Sequence, residues 1–292
     1  MKNTFLIFLL LGLVYTVKGQ DDLLNELEKD KADTDYTFAT FKGTRVVNGQ
    51  SVETKRKGEL EFIFSHRFGR INEGSYTLWG LDDAYVRLGL EYGITDRLGI
   101  SIARTSVDKT YDGYIRYKVL RQATGEKSFP ISVTAITNMY YKTQPSEEEN
   151  PAYDPVDRLA YGAQLIIARK FSTNFSFQLN PVFIHRNAVE QDYENNDDIA
   201  LGMATRYKFT KSMALTAEYF LRLNEHEQSP YYDAIGIGID IETGGHVFQL
   251  VFTNSRGMFE RAVVAETEGD FFDGDIHFGF NISRTFQLAG KR

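Results

Sequence analysis

Asp275-Ile276-His277-Phe278-Gly279-Phe280-Asn281-Ile282-Ser283-Arg284-Thr285-Phe286 carries two opposed patterns in one short run. Ile276, Phe278, Phe280, Ile282 and Phe286 share one parity, and Asp275, His277, Gly279, Asn281, Ser283 and Thr285 share the other. Successive side chains on a strand point to opposite faces, so this run is a strand with one greasy side and one polar or very small side. A soluble sandwich would turn the greasy side into a core. A membrane barrel reverses the sense, with apolar residues toward lipid and polar residues toward the lumen.

Working outward, the same alternation recurs in twelve stretches. They are Glu59–His66, Ala84–Tyr92, Leu98–Arg104, Tyr111–Arg121, Ile131–Tyr141 and Arg158–Arg169, then Phe175–Arg186, Ile199–Lys208, Met213–Leu223, Asp233–Ile241, His246–Thr253 and Asp275–Phe286. Most have the roughly 9–11 residues that a tilted strand needs to cross a bilayer. The connections decide between sandwich and barrel. Gly93–Arg97, Phe171–Asn174, Phe209–Ser212 and Glu242–Gly245 are short and Gln122–Pro130 is moderate. Alternating with them are the longer Arg67–Asp83, Lys142–Asp157, Asn187–Asp198, Asn224–Tyr232 and Asn254–Gly274, with short Thr105–Thr110 as the exception. Short turns at one end and long loops at the other are the outer-membrane pattern, and an even strand count puts both termini at the turn end.

The faces agree. The second stretch sets Ala84, Val86, Leu88, Leu90 and Tyr92 against Tyr85, Arg87, Gly89, Glu91 and Gly93. The tenth sets Ile235, Ile237, Ile239 and Ile241 against Ala234, Gly236, Gly238 and Asp240. Outward aromatics fall near strand ends, Tyr92, Phe175, Tyr207 and Phe286 at the turns and Tyr111, Tyr141 and Phe183 at the loops, where rings meet headgroups. The expected fold is an all-β, transmembrane, antiparallel up-and-down barrel of about twelve strands over residues 59–288.

The start of the chain reads differently. Met1-Lys2-Asn3, an apolar run from Phe5 to Val17 and Val17-Lys18-Gly19 predict a cleaved secretory signal peptide over residues 1–19. Residues 20–58 form a leader, either periplasmic or a plug in the barrel mouth. Leu23, Leu24 and Leu27 suggest a short amphipathic helix there, and Val46-Val47-Asn48-Gly49-Gln50-Ser51-Val52 a hairpin about Asn-Gly. The chain has no cysteine, so disulfides and thiol chemistry are excluded. A net charge of −7 argues against a nucleic-acid partner.

Six segments together resemble an uncharacterised family of Bacteroidetes outer-membrane β-barrels, known as a domain of unknown function. They are Phe41-Lys42-Gly43-Thr44-Arg45, Ser65-His66-Arg67-Phe68-Gly69 and Tyr92-Gly93-Ile94-Thr95-Asp96-Arg97-Leu98, with Tyr111-Asp112-Gly113-Tyr114, Ile167-Ala168-Arg169-Lys170-Phe171-Ser172 and Glu242-Thr243-Gly244-Gly245-His246-Val247-Phe248-Gln249-Leu250. The resemblance runs from about Phe38 to Phe286 and implies a barrel and an outer-membrane address. It implies no reaction.

Candidate lumen residues follow from the polar parity: Glu59, Glu61, Arg87, Glu91, Arg116, Lys118, Arg206, Lys208, Glu218, Arg222 and Asp240, with Arg67 beside them. Either these charges pair across strands and close the interior, or they line a narrow pore that selects small solutes. The first reading makes a structural or partner-binding barrel with a self-filled lumen, the second a channel or transporter. No protein partner is legible; outer-membrane lipid and lipopolysaccharide are the expected surroundings. His66 and His277 fall on opposite parities, so they form no metal pair. Ser65 and His66 are strand neighbours that point apart, which leaves no hydrolase pair and no expected enzyme or cofactor. Gly236-Ile237-Gly238 lacks the helix of a phosphate loop and reads as a thin place in the wall. The acidic loops, with Glu147-Glu148-Glu149, Asp154, Asp157, Glu190, Asp192, Glu194, Asp197 and Asp198, read as a solvated rim. Phe259, Val263, Val264, Phe271 and Phe272 make loop 254–274 too apolar for water, so it folds inward or meets a partner.

Overall fold

The computed structural model describes residues 34–144, 154–189 and 194–289. The signal segment, the Leu23/Leu24/Leu27 helix, Glu147–Glu149, Glu190 and Asp192 lie outside the described residues.

Twelve strands close into one antiparallel barrel. They are β1 (Glu59–Arg70), β2 (Ala84–Gly93), β3 (Leu98–Thr105), β4 (Tyr111–Leu120), β5 (Ser132–Tyr141) and β6 (Leu159–Lys170), followed by β7 (Phe175–Arg186), β8 (Asp197–Lys208), β9 (Met213–Arg222), β10 (Ala234–Thr243), β11 (His246–Thr253) and β12 (His277–Gln287). Each pairs with its sequence neighbour, and β12 returns to β1 with Phe280 opposite His66 and Ile282 opposite Phe64. Every expected strand is present with ends shifted by a few residues. The largest shift is β1, which runs on to Arg70 because the following loop folds back tightly, with the Gly69 amide donating to the Gly80 carbonyl at 2.7 Å. In that loop Tyr76, Leu78, Trp79 and Leu81 are exposed.

Three short turns share one construction. The backbone amides of Ile94, Phe171 and Phe209 donate to the carbonyls of Leu98, Phe175 and Met213. The hydroxyls of Thr95, Ser172 and Thr210 accept from the amides of Leu98, Phe175 and Met213 at 2.9–3.0 Å. Backbone groups at these bends are thus satisfied by the bends themselves.

The barrel is inside out relative to a soluble protein. Ile102 is 62% exposed, Leu88 48% and Leu215 43%, whereas Arg116 and Glu91 are fully buried. Removing charge from water while leaving isoleucine and leucine outside is unfavourable in water. It is the arrangement a lipid environment selects.

A second, small unit comprises residues 34–37 and 122–130 among those described. In it Asp35–Tyr36 pairs antiparallel with Ala123–Thr124, and Ala123 bridges Phe129.

Candidate functional site

Lumen-facing side chains make two kinds of contact, with each other and with segments inserted between them. The first kind is concentrated over β3, whose inward positions are the small Gly99, Ser101, Ala103 and Thr105. Long side chains of β2 and β4 therefore meet above it. Arg87 donates to both Asp112 oxygens, at 2.9 and 2.6 Å, a bidentate fork. Arg116 lies 3.2 Å from Glu91, which also accepts from the Tyr114 hydroxyl at 2.6 Å. Across the barrel Arg206 pairs with Glu242 at 2.7 Å and approaches Asp240 at 3.7 Å.

The second kind involves residues 40–53, which lie inside the barrel. Arg45 bridges Gln50, and the Val46 amide donates to the Gly49 carbonyl at 2.9 Å. This is a hairpin-like turn, as expected around Asn48-Gly49, closed by a single bridge. That bridge pairs only part of the turn's backbone, and the wall pairs much of the rest. The Glu218 carboxylate accepts from the amides of Val47, Asn48 and Gly49 at 3.1, 2.7 and 3.1 Å. Gln249 donates to the Val46 carbonyl at 2.8 Å, and Asn281 and Arg67 donate to that of Val47 at 2.9 and 3.2 Å. Gln178 both donates to the Gln50 carbonyl and accepts from the Val52 amide, while Thr134 donates to the Val52 carbonyl at 2.7 Å. Arg116 donates to the Glu53 carbonyl and the Gln50 side chain.

Fit is close. A Cβ on Gly49 would stand 2.6 Å from the Phe220 ring, and one on Gly236 2.9 Å from Val47. The thin place at Gly236 therefore makes room for the inserted turn. Phe41, Val46, Val47 and Val52 pack on inward Tyr114, Ile136, Ile166, Ala168, Ala204 and Val251.

From the loop end the segment after β11 enters as helix α1 (Glu260–Ala265), every residue of which is buried. Phe259, Ala262, Val263 and Val264 pack against Tyr140, Val182, Ile184 and Phe220 of the wall. Loop 254–274 thus folds inward as one expected alternative had it, although Phe272 stays 86% exposed. Burial works against the Glu266 carboxylate just beyond, but Arg261, Arg186 and Lys142 outweigh it and hold its pKa below the ordinary value. The two inserts touch, with Arg45 reaching the Met258 carbonyl and the Glu260 carboxylate, both at 3.3 Å.

At the turn end a vestibule of about 1020 Å³ is lined by Lys42, Lys55, Glu61, Glu242 and Thr285 among others. Burial disfavours the Lys55 ammonium, yet Glu61 at 2.8 Å, with Glu91 and Glu59, raises its pKa above the ordinary lysine value. Clefts of about 190 and 220 Å³ open at the loop end. A gap of about 10 Å³ lies beside Thr44, Arg45 and Gln249, room for about one water.

Of the expected lumen residues, Glu61, Arg87, Glu91, Arg116, Lys118, Arg206, Glu218 and Asp240 are buried in the interior, as is Arg67. Glu59, Lys208 and Arg222 stand half-buried at strand ends. Glu59 accepts from the Arg56 amide, and Arg222 donates to the Tyr231 carbonyl at the loop end. His277 is buried inside and donates from Nδ1 to the Phe68 carbonyl at 2.7 Å, whereas His66 stacks on Phe280 outside. Charge alone missed the neutral members, Gln178, Gln249, Asn281 and Thr134. Their inward parity was the available signal.

Residues 41–286 match a family described as a membrane bound beta barrel domain (DUF5777). An outer membrane channel from Pseudomonas putida is similar in fold, with 12% identity and a TM-score of 0.50 over 82% of this chain and 100% of that one. The KdgM porin is similar at 8% identity and a TM-score of 0.47, covering 78% of this chain and 99% of that one. No curated protein matches the chain in sequence.

Proposed function

Because the chain belongs to the family of membrane-bound β-barrel domains (DUF5777), we propose that it is an outer-membrane channel for small solutes, held shut by the turn at residues 40–53. The observation that carries this reading is the polar wall around residues 40–53, whose side chains bind the main chain of an insert and not only one another. Neutral hydrogen bonds of this kind contribute about 0.5–1.5 kcal/mol each net, and those to a carboxylate about 1.5–3, because water replaces them. An insert held this way can leave without stranding its partners, provided water fills the lumen behind it. The turn-end vestibule then offers the way in from the side of the termini.

On this reading residues 1–19 are a cleaved signal, residues 40–53 of the leader are the plug, and lipid and lipopolysaccharide surround the outward face. No catalytic role is assigned to any side chain. The resemblance to Bacteroidetes barrels and the fold shared with a Pseudomonas putida channel support the address.

The experiment is planar-bilayer recording of the full chain and of Gly49→Val, which drives a side chain into Phe220. A quiet parent and an ohmic variant are expected. Two equally silent proteins, both shown folded by heat-dependent gel mobility, would overturn the channel. That outcome would favour a permanently filled structural or partner-binding barrel, a reading that the apolar packing of α1 on Tyr140, Ile184 and Phe220 supports.

A further inference from the structure

We propose that the lumen occupied by the inserted turn is a binding site for short peptides, and that residues 44–53 occupy it as an internal stand-in. This rests on the channel reading for its role, since it names the class of solute that would take the turn's place.

The wall recognises main-chain atoms. Glu218 accepts from three successive backbone amides, and Gln249 and Asn281 donate to the carbonyls of Val46 and Val47. Gln178 and Thr134 read the next stretch in the same way, both partners of Gln178 and the acceptor of Thr134 being main-chain atoms. Groups placed to bind a backbone read any peptide that can adopt its path, because every residue offers the same amide and carbonyl. Sugars and simple ions do not present consecutive N–H donors converging on one carboxylate.

Side-chain selectivity is added to this, the Asn48 side-chain amide accepting from Arg67 and donating to Thr253, each at 2.8 Å, and Thr44 donating to Glu61 at 2.7 Å. The Val46, Val47 and Val52 positions meet apolar patches of the wall, so small apolar groups suit them. The Gly49 position faces the Phe220 ring, where a Cβ would stand 2.6 Å away. The site therefore favours a short peptide with an Asn-Gly turn flanked by small apolar residues.

The test uses full-length Gly49→Val, in which the tethered turn is unseated, and full-length Asn48→Pro, which removes one of the amides that Glu218 binds, as a second such protein. A synthetic peptide of sequence Thr44–Glu53 is titrated into each in detergent and followed by calorimetry. Saturable one-to-one binding is expected. Methylating the peptide amides at the Asn48 and Gly49 positions should weaken it by about tenfold or more. A peptide shuffled at its other positions, with the Asn-Gly pair kept, should still bind saturably, within about tenfold. No binding to either folded variant, or binding indifferent to amide methylation, would overturn the site. Ohmic current without peptide binding sinks the peptide site and leaves the channel. Peptide binding in a barrel that never conducts sinks the channel and leaves the site.

Discussion

The two inserts fill one lumen by different physics. Helix α1 pairs its own backbone, the Val263 amide donating to the Phe259 carbonyl, and offers the wall Phe259, Val263 and Val264. The turn at residues 44–53 pairs little of its backbone and borrows the rest from Glu218, Gln178, Gln249 and Asn281. Water competes well for the second kind of contact and poorly for the first. The helix thus suits permanent packing that narrows the loop end, and the turn suits gating.

The largest expected effect comes from unseating the turn. Gly49→Val should convert a closed barrel into a conducting one, and pairing it with Phe220→Ala should restore closure in the same recording. Next is the helix. Phe259→Ala should lower stability by about 3–5 kcal/mol, read as a lower temperature of the heat-dependent gel shift. Conductance should stay low while the turn is in place. A Phe259→Ala channel that opens would mean that the helix is the gate.

A smaller effect is expected at Glu218. Replacing it with Gln removes a charge-assisted partner of three amides, a cost of about 2 kcal/mol. Hydrogen exchange at Val47, Asn48 and Gly49 should quicken by roughly tenfold or more, while α1 amides stay protected. The smallest is a pH effect on the helix side. Glu266 is held below its ordinary pKa of 4.5, so its contribution is complete above that value and fades as pH falls through the lower, folded one. Acid titration of α1 protection should show this loss in the parent and not in Glu266→Gln.

Much of this was written in the alternation. The inward parity that placed Arg87, Glu91, Arg116 and Glu218 needs no knowledge of tertiary structure, because a strand has two faces. The interior contents were less legible. The inward parity turns apolar at Tyr140, Val182, Ile184 and Phe220, and that change, set beside Phe259, Val263 and Val264, predicts a greasy insert at the loop end. The turn end gave no such cue. Main-chain recognition leaves no trace in residue type beyond a few amides, and the turn at Gly49 and the thin wall at Gly236 show what they fit only when Phe220 and Val47 are seen against them. Arg87 with Asp112 was hidden for a related reason, since the two stand on non-adjacent strands and meet because Ala103 between them is small.

Trp79, the chain's sole tryptophan, stands 58% exposed in the loop after β1. Indole emission from this protein is therefore a local signal from one rim position. A spectroscopist who follows unfolding by that colour will watch the lip of the vessel loosen and learn nothing of its contents.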